Sequence, residues 1–227
     1  MRIGVLGTGV VGRTLGGRLA ERGKDVVMGS RDPSALAGRT EPDRRGNESF
    51  AEWHGMHPDV RLATFGESAA HGEVIVNATA GAASLDALRL AGEDNLEGKV
   101  LLDISNPLDS SQGFPPSLFV SNTDSLAERI QRAYPRAWVV KSLNTVTAAI
   151  MVDPGLVAGG DHTAFVSGDD PEAKGRVTSL LRDDFGWRHV IDLGDITTAR
   201  AAEMYLPLWL RLMGVLETPM FNVSVVT

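Results

Sequence analysis

Residues 2–12 of the chain read RIGVLGTGVVG, an apolar run followed at once by three glycines at G-x-G-x-x-G spacing. The apolar run predicts a buried strand, and the residues after it predict an amphipathic helix. At such a junction Gly7 permits the tight turn, Gly9 lets the backbone approach a pyrophosphate, and Gly12 lets helix and strand pack closely. The phosphates would lie on the free amides and the positive dipole end of the helix. The stretch predicts a dinucleotide site, with a purely structural glycine turn as the alternative.

Apolar runs recur along the rest of the chain and alternate with helical or turn-rich stretches. We predict strands at residues 2–6, 25–29, 61–65, 73–78, 100–104, 137–143, 163–167 and 188–193, and helices at residues 10–22, 50–57, 83–91, 125–134, 172–185 and 197–216. Because the apolar runs are mostly continuous, the strands should be covered on both faces. The alternation predicts an α/β fold with a doubly wound, mostly parallel sheet. We expect a dinucleotide-binding domain over residues 1–195 and a small C-terminal helical extension over residues 196–227.

The second predicted strand ends at Gly29-Ser30-Arg31, the position that distinguishes NAD from NADP. An NAD site uses a carboxylate there, whereas a hydroxyl and a guanidinium suit the 2′-phosphate of NADP. Asp32 would repel that phosphate if it turned inward, but Pro33 directly after it favours an outward turn. The sequence therefore predicts NADP(H) as the cofactor. Further positive charge could come from Arg39, Arg44 and Arg45.

Three predicted strand ends carry small polar side chains, in the stretches 77–80, 105–107 and 142–146. In a doubly wound sheet, ligands lie at the carboxyl ends of the strands. Amide and hydroxyl groups there could bind the nicotinamide carboxamide and ribose, or could simply satisfy nearby backbone groups. Because three ends converge on one edge, we expect a cofactor site that includes Thr79, Ala80, Ser105, Asn106, Pro107 and Asn144.

The chain lacks several common catalytic motifs. Cysteine is absent, which excludes a disulfide framework, a thiolate nucleophile and a Cys-ligated metal, and none of the five histidines lies in a hydrolase or metalloprotease motif. A hydride transfer between two bound rings needs no protein acid or base, so we predict no catalytic side chain and no metal site. Lys141 is the charged residue in the otherwise apolar run 138–141. Its stem could carry the amine out of the sheet, which we favour, or the amine could pair with an acidic ligand.

Charge is unevenly distributed along the chain. The whole sequence has 22 basic and 29 acidic residues and a net charge of −7, yet residues 1–45 hold nine basic and five acidic residues. The net negative charge of the whole chain argues against nucleic-acid binding. The excess of basic residues in the first 45 positions indicates either a site for a small anionic ligand or a solvated face. The N-terminus does not resemble a signal peptide, and residues 206–216 are too short to span a bilayer. We therefore expect a cytoplasmic protein with no membrane partner.

Residues 197–216 predict a helix that is apolar around most of its circumference. Met204, Leu206, Leu208, Trp209 and Leu210 cannot all face one core. Such a helix is either buried on all sides within its own chain or paired with another chain. We favour a homodimer.

Five stretches together resemble the NADP oxidoreductases that depend on coenzyme F420, a 5-deazaflavin. They are residues 3–9 with Gly12, residues 27–31, residues 139–145, residues 167–170, and the closing helix 199–214. The resemblance covers nearly the whole chain. It implies a Rossmann domain with a small C-terminal extension, assembled as a dimer, that exchanges a hydride between NADP(H) and coenzyme F420 as co-substrate.

The same resemblance implies roles for individual residues. Thr8, Gly9, Val10 and Val11 would contact the pyrophosphate, and Ser30 with Arg31 would contact the 2′-phosphate. Thr79 and Ala80 would lie along the cofactor. The nicotinamide and deazaflavin rings would face Asn144, Thr145, Val146 and Ala148. Candidates for binding the anionic tail of the deazaflavin are Arg129, Arg132 and Arg200.

Two other functions fit the sequence. The fold is also similar to the reductase domain of membrane metalloreductases, so an NADPH-dependent reductase of a flavin or another small acceptor is the first alternative. A non-catalytic NADP-sensing protein is the second. A β-hydroxyacid or imine reductase fits less well, because it needs a large helical domain and only residues 194–227 follow the last predicted strand.

Overall fold

The computed structural model of the 227-residue chain describes residues 1–42, 46 and 48–227. Arg44 and Arg45, considered above as additional positive charge, lie outside the described residues. In chain order the strands are β1 (Arg2–Leu6), β2 (Asp25–Ser30), β3 (Arg61–Thr64), β4 (Val74–Asn77), β5 (Val100–Asp103), β6 (Leu108–Asp109), β7 (Ser117–Leu118), β8 (Trp138–Ser142), β9 (Thr163–Ser167) and β10 (His189–Gly194). The α-helices are α1 (Val10–Glu21), α2 (Pro33–Ala37), α3 (Phe50–Met56), α4 (Phe65–His71), α5 (Gly81–Ala91), α6 (Glu93–Leu96), α7 (Leu126–Ala133), α8 (Ala148–Val152), α9 (Pro171–Ser179), α10 (Ala199–Met204) and α11 (Leu206–Leu216).

Within the described residues, eight strands form one sheet in the order β10-β9-β8-β5-β4-β1-β2-β3. Neighbouring strands from β3 to β8 are parallel, and the strand order reverses between β1 and β4. At the other edge β9 runs antiparallel to β8, and β10 runs parallel to β9. The predicted α/β fold with a doubly wound, mostly parallel sheet is confirmed.

Helices cover both faces of this sheet, which is why its strands are continuous in apolar residues. On one face the buried cluster includes Leu15 of α1, Trp53 of α3 and Val177 of α9. On the other it includes Leu88 of α5 and Ile130 of α7. Because helices occupy both faces of the sheet, a ligand can bind only at the carboxyl ends of the strands, where the strand order reverses.

Among the described residues, four short helices lie where none is predicted: α2, α4, α6 and α8. The start of α4 shows the cause most clearly. The predicted strand 61–65 ends at Thr64, and α4 begins at the next residue. The Thr64 hydroxyl accepts a hydrogen bond from the Glu67 backbone N–H at 3.2 Å, and the Glu67 carboxylate accepts one from the Thr64 backbone N–H at 2.9 Å. This reciprocal capping box satisfies two amides at the helix start. The T-x-x-E spacing that produces it is visible in the sequence.

The predicted helix 197–216 is divided into two. A 3-10 turn at Ile196–Thr198 leads into α10, and Tyr205 separates α10 from α11. Pro207 lies in the first turn of α11, a position that suits proline because it has no N–H to donate. The helix α10 packs against α7 and β9. The predicted domain division after residue 195 stays a prediction.

The two faces of α11 differ in exposure. Leu206 and Leu210 are buried against the rest of the chain, whereas Leu208, Val215 and Leu216 are 55%, 80% and 51% exposed. The helix is therefore partly buried within its own chain, and the predicted homodimer stays a prediction. In the described part of the chain, no helix has the length and apolar character needed to cross a membrane.

Candidate functional site

The three glycines of the first loop have three different environments. Gly7 has a φ of 114°, in the region that favours glycine, and a Cβ there would lie 2.7 Å from the Ala78 carbonyl oxygen. A Cβ on Gly12 would lie 2.0 Å from the Gly7 carbonyl oxygen, so the contact between α1 and the loop requires glycine. A Cβ on Gly9 would meet no described atom within 4 Å. The space beside Gly9 is open to a ligand.

The N-terminus of α1 borders this open space. Gly9 is the N-cap of the 12-residue helix, and among the described residues no side chain makes a capping hydrogen bond to it. Its first turn contains no acidic residue, and Val10 is exposed there. The first amides of a helix lack intrahelical partners and carry its positive dipole end. This end of α1 therefore suits an anionic ligand.

A cavity of about 810 Å³ opens beside the loop, close to the point where the strand order reverses. Residues 7–9, 30–32 and 78–80, which follow or end β1, β2 and β4, line it. Ligand cavities in proteins typically measure roughly 300–1,000 Å³. The structure thus brings together seven of the predicted cofactor residues: Gly7, Thr8, Gly9, Ser30, Arg31, Thr79 and Ala80.

The end of β2 carries an unsatisfied polar atom. The Ser30 hydroxyl oxygen is buried and has no hydrogen-bond partner among the described residues. A buried hydroxyl in this condition costs about 1–3 kcal/mol, so it points to a ligand atom that completes it. Arg31 is exposed on the lining of the same cavity, and Arg39 lines it as well. A hydroxyl and two guanidinium groups fit a phosphate-like anion.

Asp32 also lines the cavity, but α2 engages its carboxylate. Asp32 Oδ1 accepts hydrogen bonds from the Ala35 backbone N–H at 3.0 Å and from the Ser34 hydroxyl at 2.7 Å. The bond from Ala35, with that from Ser34, lowers the pKa of Asp32 below its ordinary value. Asp32 is thus an ionised N-cap whose charge is directed at the amides of α2, and its outward turn from a bound phosphate stays a prediction.

The polar strand ends meet, but they chiefly bind one another. Asn144 Nδ2 donates to Asn106 Oδ1 and to the Ala202 carbonyl, both at 3.0 Å, and Asn106 Nδ2 donates to the Asn144 carbonyl at 3.1 Å. We call this reciprocal pair of hydrogen bonds the Asn106–Asn144 clamp. The neighbouring candidates Ser105, Pro107, Thr145, Val146 and Ala148 are buried. None of these seven residues lines the 810 Å³ cavity, and their contact with a cofactor stays a prediction.

Lys141 does not carry its amine out of the sheet, and that expectation is wrong. Its side chain is fully buried, with Nζ 2.8 Å from Asp103 Oδ2 and 3.0 Å from Glu203 Oε1. The reason is that Asp103 of β5 and Glu203 of α10, both buried, enclose the amine on the face of the sheet. Burial alone would lower the pKa of Lys141, but the two carboxylates raise it above its ordinary value. The amine is therefore charged.

Sequence reasoning missed both partners of Lys141. Asp103 lies directly opposite Lys141 on the neighbouring strand. Each of these two residues is a charged residue near the end of an apolar run, and this shared position could have predicted the pair. Glu203 comes from α10. Tertiary packing sets the position of this helix relative to β8, and no short-range sequence pattern predicts it.

The three arginines considered for an anionic tail are held by acidic side chains. Arg129 and Arg132 each lie 2.9 Å from a carboxylate oxygen of Asp124, and Arg200 pairs with Glu128. Arg129 also lines a second cavity of about 360 Å³, whose other lining residues are largely apolar and include Leu85, Leu108, Phe119 and Leu126. The roles of these arginines toward a ligand stay predictions.

Comparison with protein families and curated proteins gives consistent results. The model of a family described as "NADP oxidoreductase coenzyme F420-dependent" matches residues 2–107. The F420-dependent NADP reductase of Methanothermobacter marburgensis is 30% identical over 216 residues, which is 93% of this chain and 92% of that protein. The metalloreductase STEAP3 of Rattus norvegicus is 30% identical over 214 residues, 92% of this chain. The chain spans only 38% of the length of that metalloreductase.

A solved structure is similar over the whole chain. It is a crystal structure from Arthrobacter sp. FB24, of a protein provisionally described as an F420-dependent NADP reductase. The two chains are 55% identical, each is covered to 99%, and the TM-score is 0.95. The likeness therefore extends over the loop after β1 and the C-terminal helices.

Proposed function

The chain belongs to the family of coenzyme F420-dependent NADP oxidoreductases, and from this premise we propose that it transfers a hydride between NADP(H) and coenzyme F420. The single observation that carries the choice of NADP is the buried, unpartnered Ser30 hydroxyl beside Arg31 on the cavity lining. Family membership supports the choice of the deazaflavin as the second reactant.

In this proposal the cavity holds NADP(H). The backbone of Thr8, Gly9, Val10 and Val11 binds the pyrophosphate at the N-terminus of α1, in a loop kept tight by Gly7 and Gly12. Ser30 and Arg31, with Arg39 beside them, bind the 2′-phosphate, and Thr79 and Ala80 lie along the cofactor. Three features support this fit: the open space at Gly9, the uncapped end of α1 and the unsatisfied hydroxyl.

The nicotinamide end is formed by the loops after β4, β5 and β8 in our proposal. When bound, the nicotinamide supplies or accepts the hydride. The task of the chain is then to hold the reacting carbons about 3–3.5 Å apart and to exclude water. The Asn106–Asn144 clamp supports this role because it joins two of these loops through two reciprocal, partly buried hydrogen bonds. The wall facing the two rings would consist of Asn144, Thr145, Val146 and Ala148.

The reaction is tested by mixing the protein with NADPH and oxidised coenzyme F420 without oxygen and following the absorbance of the deazaflavin. NADP⁺ with the reduced deazaflavin tests the reverse direction. We expect turnover in both directions and much slower turnover with NADH, because Arg31 and Ser30 have no phosphate to bind in NADH. No turnover of the deazaflavin in either direction would contradict the proposal.

Reduction of a different small acceptor is the second candidate function. The observation that favours it is the 30% identity to the rat metalloreductase over 92% of this chain. In the same assay, turnover of FMN but not of coenzyme F420 would identify this alternative. Tight binding of NADPH with turnover of neither acceptor would favour a non-catalytic NADP-sensing protein.

We also propose that the exposed face of α11 pairs with a second copy of the chain. Burying apolar surface contributes about 25 cal/mol per Å², and Leu208 is 55% exposed on this helix. Light scattering should give twice the chain mass for the parent protein and the single mass for Leu208→Glu. Leu156→Glu is the matched control, because Leu156 is 54% exposed at a different place and its replacement should leave the dimer intact. A single-chain mass for the parent protein would contradict the dimer.

A further inference from the structure

Three fully or nearly fully buried charged groups meet behind the strand ends, and we call them the Lys141 triad. Lys141 of β8 contacts Asp103 of β5 at 2.8 Å and Glu203 of α10 at 3.0 Å. The Lys141 amine also donates to the Ser105 carbonyl in the loop after β5. None of the three charged side chains lines either cavity described above.

The triad is joined to the cofactor cavity by a short chain of hydrogen bonds. The second oxygen of Asp103 accepts from Asn77 Nδ2 at 2.8 Å and from the Ser105 hydroxyl at 2.7 Å. Asn77 Oδ1 in turn accepts from the Thr79 hydroxyl at 2.6 Å. Thr79 lines the cavity. Thr79 is therefore connected to Lys141 through Asn77 and Asp103, and its hydroxyl also lies 2.9 Å from that of Ser84.

On its other side the triad holds two helices. The Glu203 carboxylate accepts hydrogen bonds from the backbone N–H groups of Leu126 at 2.8 Å and Ala127 at 3.1 Å, at the start of α7. The neighbouring residue Ala202 accepts from Asn144 of the Asn106–Asn144 clamp. One buried charge cluster is thus attached to four segments: the starts of the loops after β5 and β8, the start of α7, and α10.

Stability alone does not explain this arrangement. Removing charges from water is costly, and apolar side chains of similar volume often stabilise a buried position equally well or better. A hydrogen-bonded charge cluster adds structural specificity, because each oxygen and each N–H fixes the position of one particular partner. Here the partners are the loops that we assign to the nicotinamide end.

We propose that Lys141, with Asp103 and Glu203, is a positioning residue for hydride transfer. The triad touches neither reactant. It holds the loops after β4, β5 and β8 and the helix α10 in the one arrangement that aligns the two rings. This inference rests on the proposed function, and it assigns the adenosine end of the cofactor to a separate set of contacts, those of Gly9, Ser30 and Arg31.

The test uses a variant that removes the charges and keeps the shapes, Asp103→Asn/Lys141→Met/Glu203→Gln. Lys141→Met alone would leave two buried carboxylates without their cation and could fail to fold. In single-turnover experiments with NADPH and oxidised coenzyme F420, we expect the hydride-transfer rate of the triple variant to fall about 100-fold, the size expected for a misplacement of about 1 Å. The dissociation constant of NADPH should stay unchanged.

A matched control is Lys174→Met. Lys174 lies 2.8 Å from Asp192, in an ion pair that does not belong to the triad or to its hydrogen-bond chain. This variant should transfer hydride at the parent rate. A folded triple variant that also reacts at the parent rate would show that the triad only supports the fold, and would overturn the inference.

Two further measurements keep the inference separate from folding and from the proposed function. The first is Glu203→Gln, which retains the Lys141–Asp103 pair and is used if the triple variant does not fold. This single variant should still react more slowly at an unchanged NADPH dissociation constant, and a reaction at the parent rate would contradict the inference.

The second applies if the parent protein does not reduce coenzyme F420. In that case the proposed function fails, and the fluorescence of bound NADPH becomes the readout. The triple variant should then show lower emission from a more mobile nicotinamide at unchanged affinity, and identical emission would overturn the positioning role.

Discussion

Replacing Gly9 with valine should abolish the binding of both NADPH and NADH while the protein remains folded. The backbone of Gly9 has φ −73° and ψ −178°, which a residue with a side chain can adopt, and a Cβ there meets no described atom within 4 Å. The valine side chain would occupy the space that we assign to the pyrophosphate. Two lost hydrogen bonds to a charged group, at about 1.5–3 kcal/mol each, already correspond to a loss of more than about 100-fold in affinity.

Calorimetric titration with each nucleotide measures this loss, and circular dichroism checks the fold. Gly175→Val is the matched control, because a Cβ on Gly175 also meets no described atom within 4 Å and the residue lies in α9, away from the cavity. The control should bind NADPH like the parent protein. Binding retained by a folded Gly9→Val protein would contradict the assignment of the loop.

Replacing Arg31 with alanine should weaken NADPH binding about 10- to 150-fold and leave NADH binding nearly unchanged. The reason is that only NADPH carries the 2′-phosphate, and a hydrogen bond to a charged group contributes about 1.5–3 kcal/mol. Arg31 can provide two parallel hydrogen bonds to one phosphate. Ser30→Ala should act in the same direction with a smaller effect, because its hydroxyl is neutral.

The same titrations test this variant, with Arg61→Ala as its control. Arg61, at the start of β3, is an exposed arginine that pairs with Asp25, and Asp25 lies at the opposite end of β2 from the cavity lining. Its loss should leave both dissociation constants unchanged. An equal loss of NADPH and NADH affinity in Arg31→Ala would show that the guanidinium does not distinguish the two cofactors.

The first unit of the fold was predictable because its signals are local. An apolar run, the glycine spacing and the following amphipathic helix specify β1, the loop and α1 within a few residues. Gly7 and Gly12 have the positive φ and the close contact expected of them, whereas the pyrophosphate contact expected of Gly9 stays a prediction. The hydroxyl of Ser30 was predictable as a residue type at a strand end, but its burial without a partner was not.

Features set by tertiary packing were not predictable. An apolar run does not encode strand direction, so the antiparallel pairing of β9 with β8 left no sign in the sequence. Lys141 was misinterpreted because a lysine at a strand end usually reaches solvent, and its partner Glu203 lies on a helix far along the chain. The polar residues Asn106 and Asn144 were correctly placed at one edge, yet their mutual hydrogen bonds depend on loop geometry that no short-range pattern specifies.

The most direct measurement of the central claim is a crystal structure of the protein with NADP⁺. We expect the pyrophosphate at the N-terminus of α1 beside Gly9, and the 2′-phosphate within hydrogen-bond distance of the Ser30 hydroxyl and the Arg31 guanidinium. A nucleotide bound outside this cavity, or one whose 2′-phosphate points into solvent away from both side chains, would contradict the account.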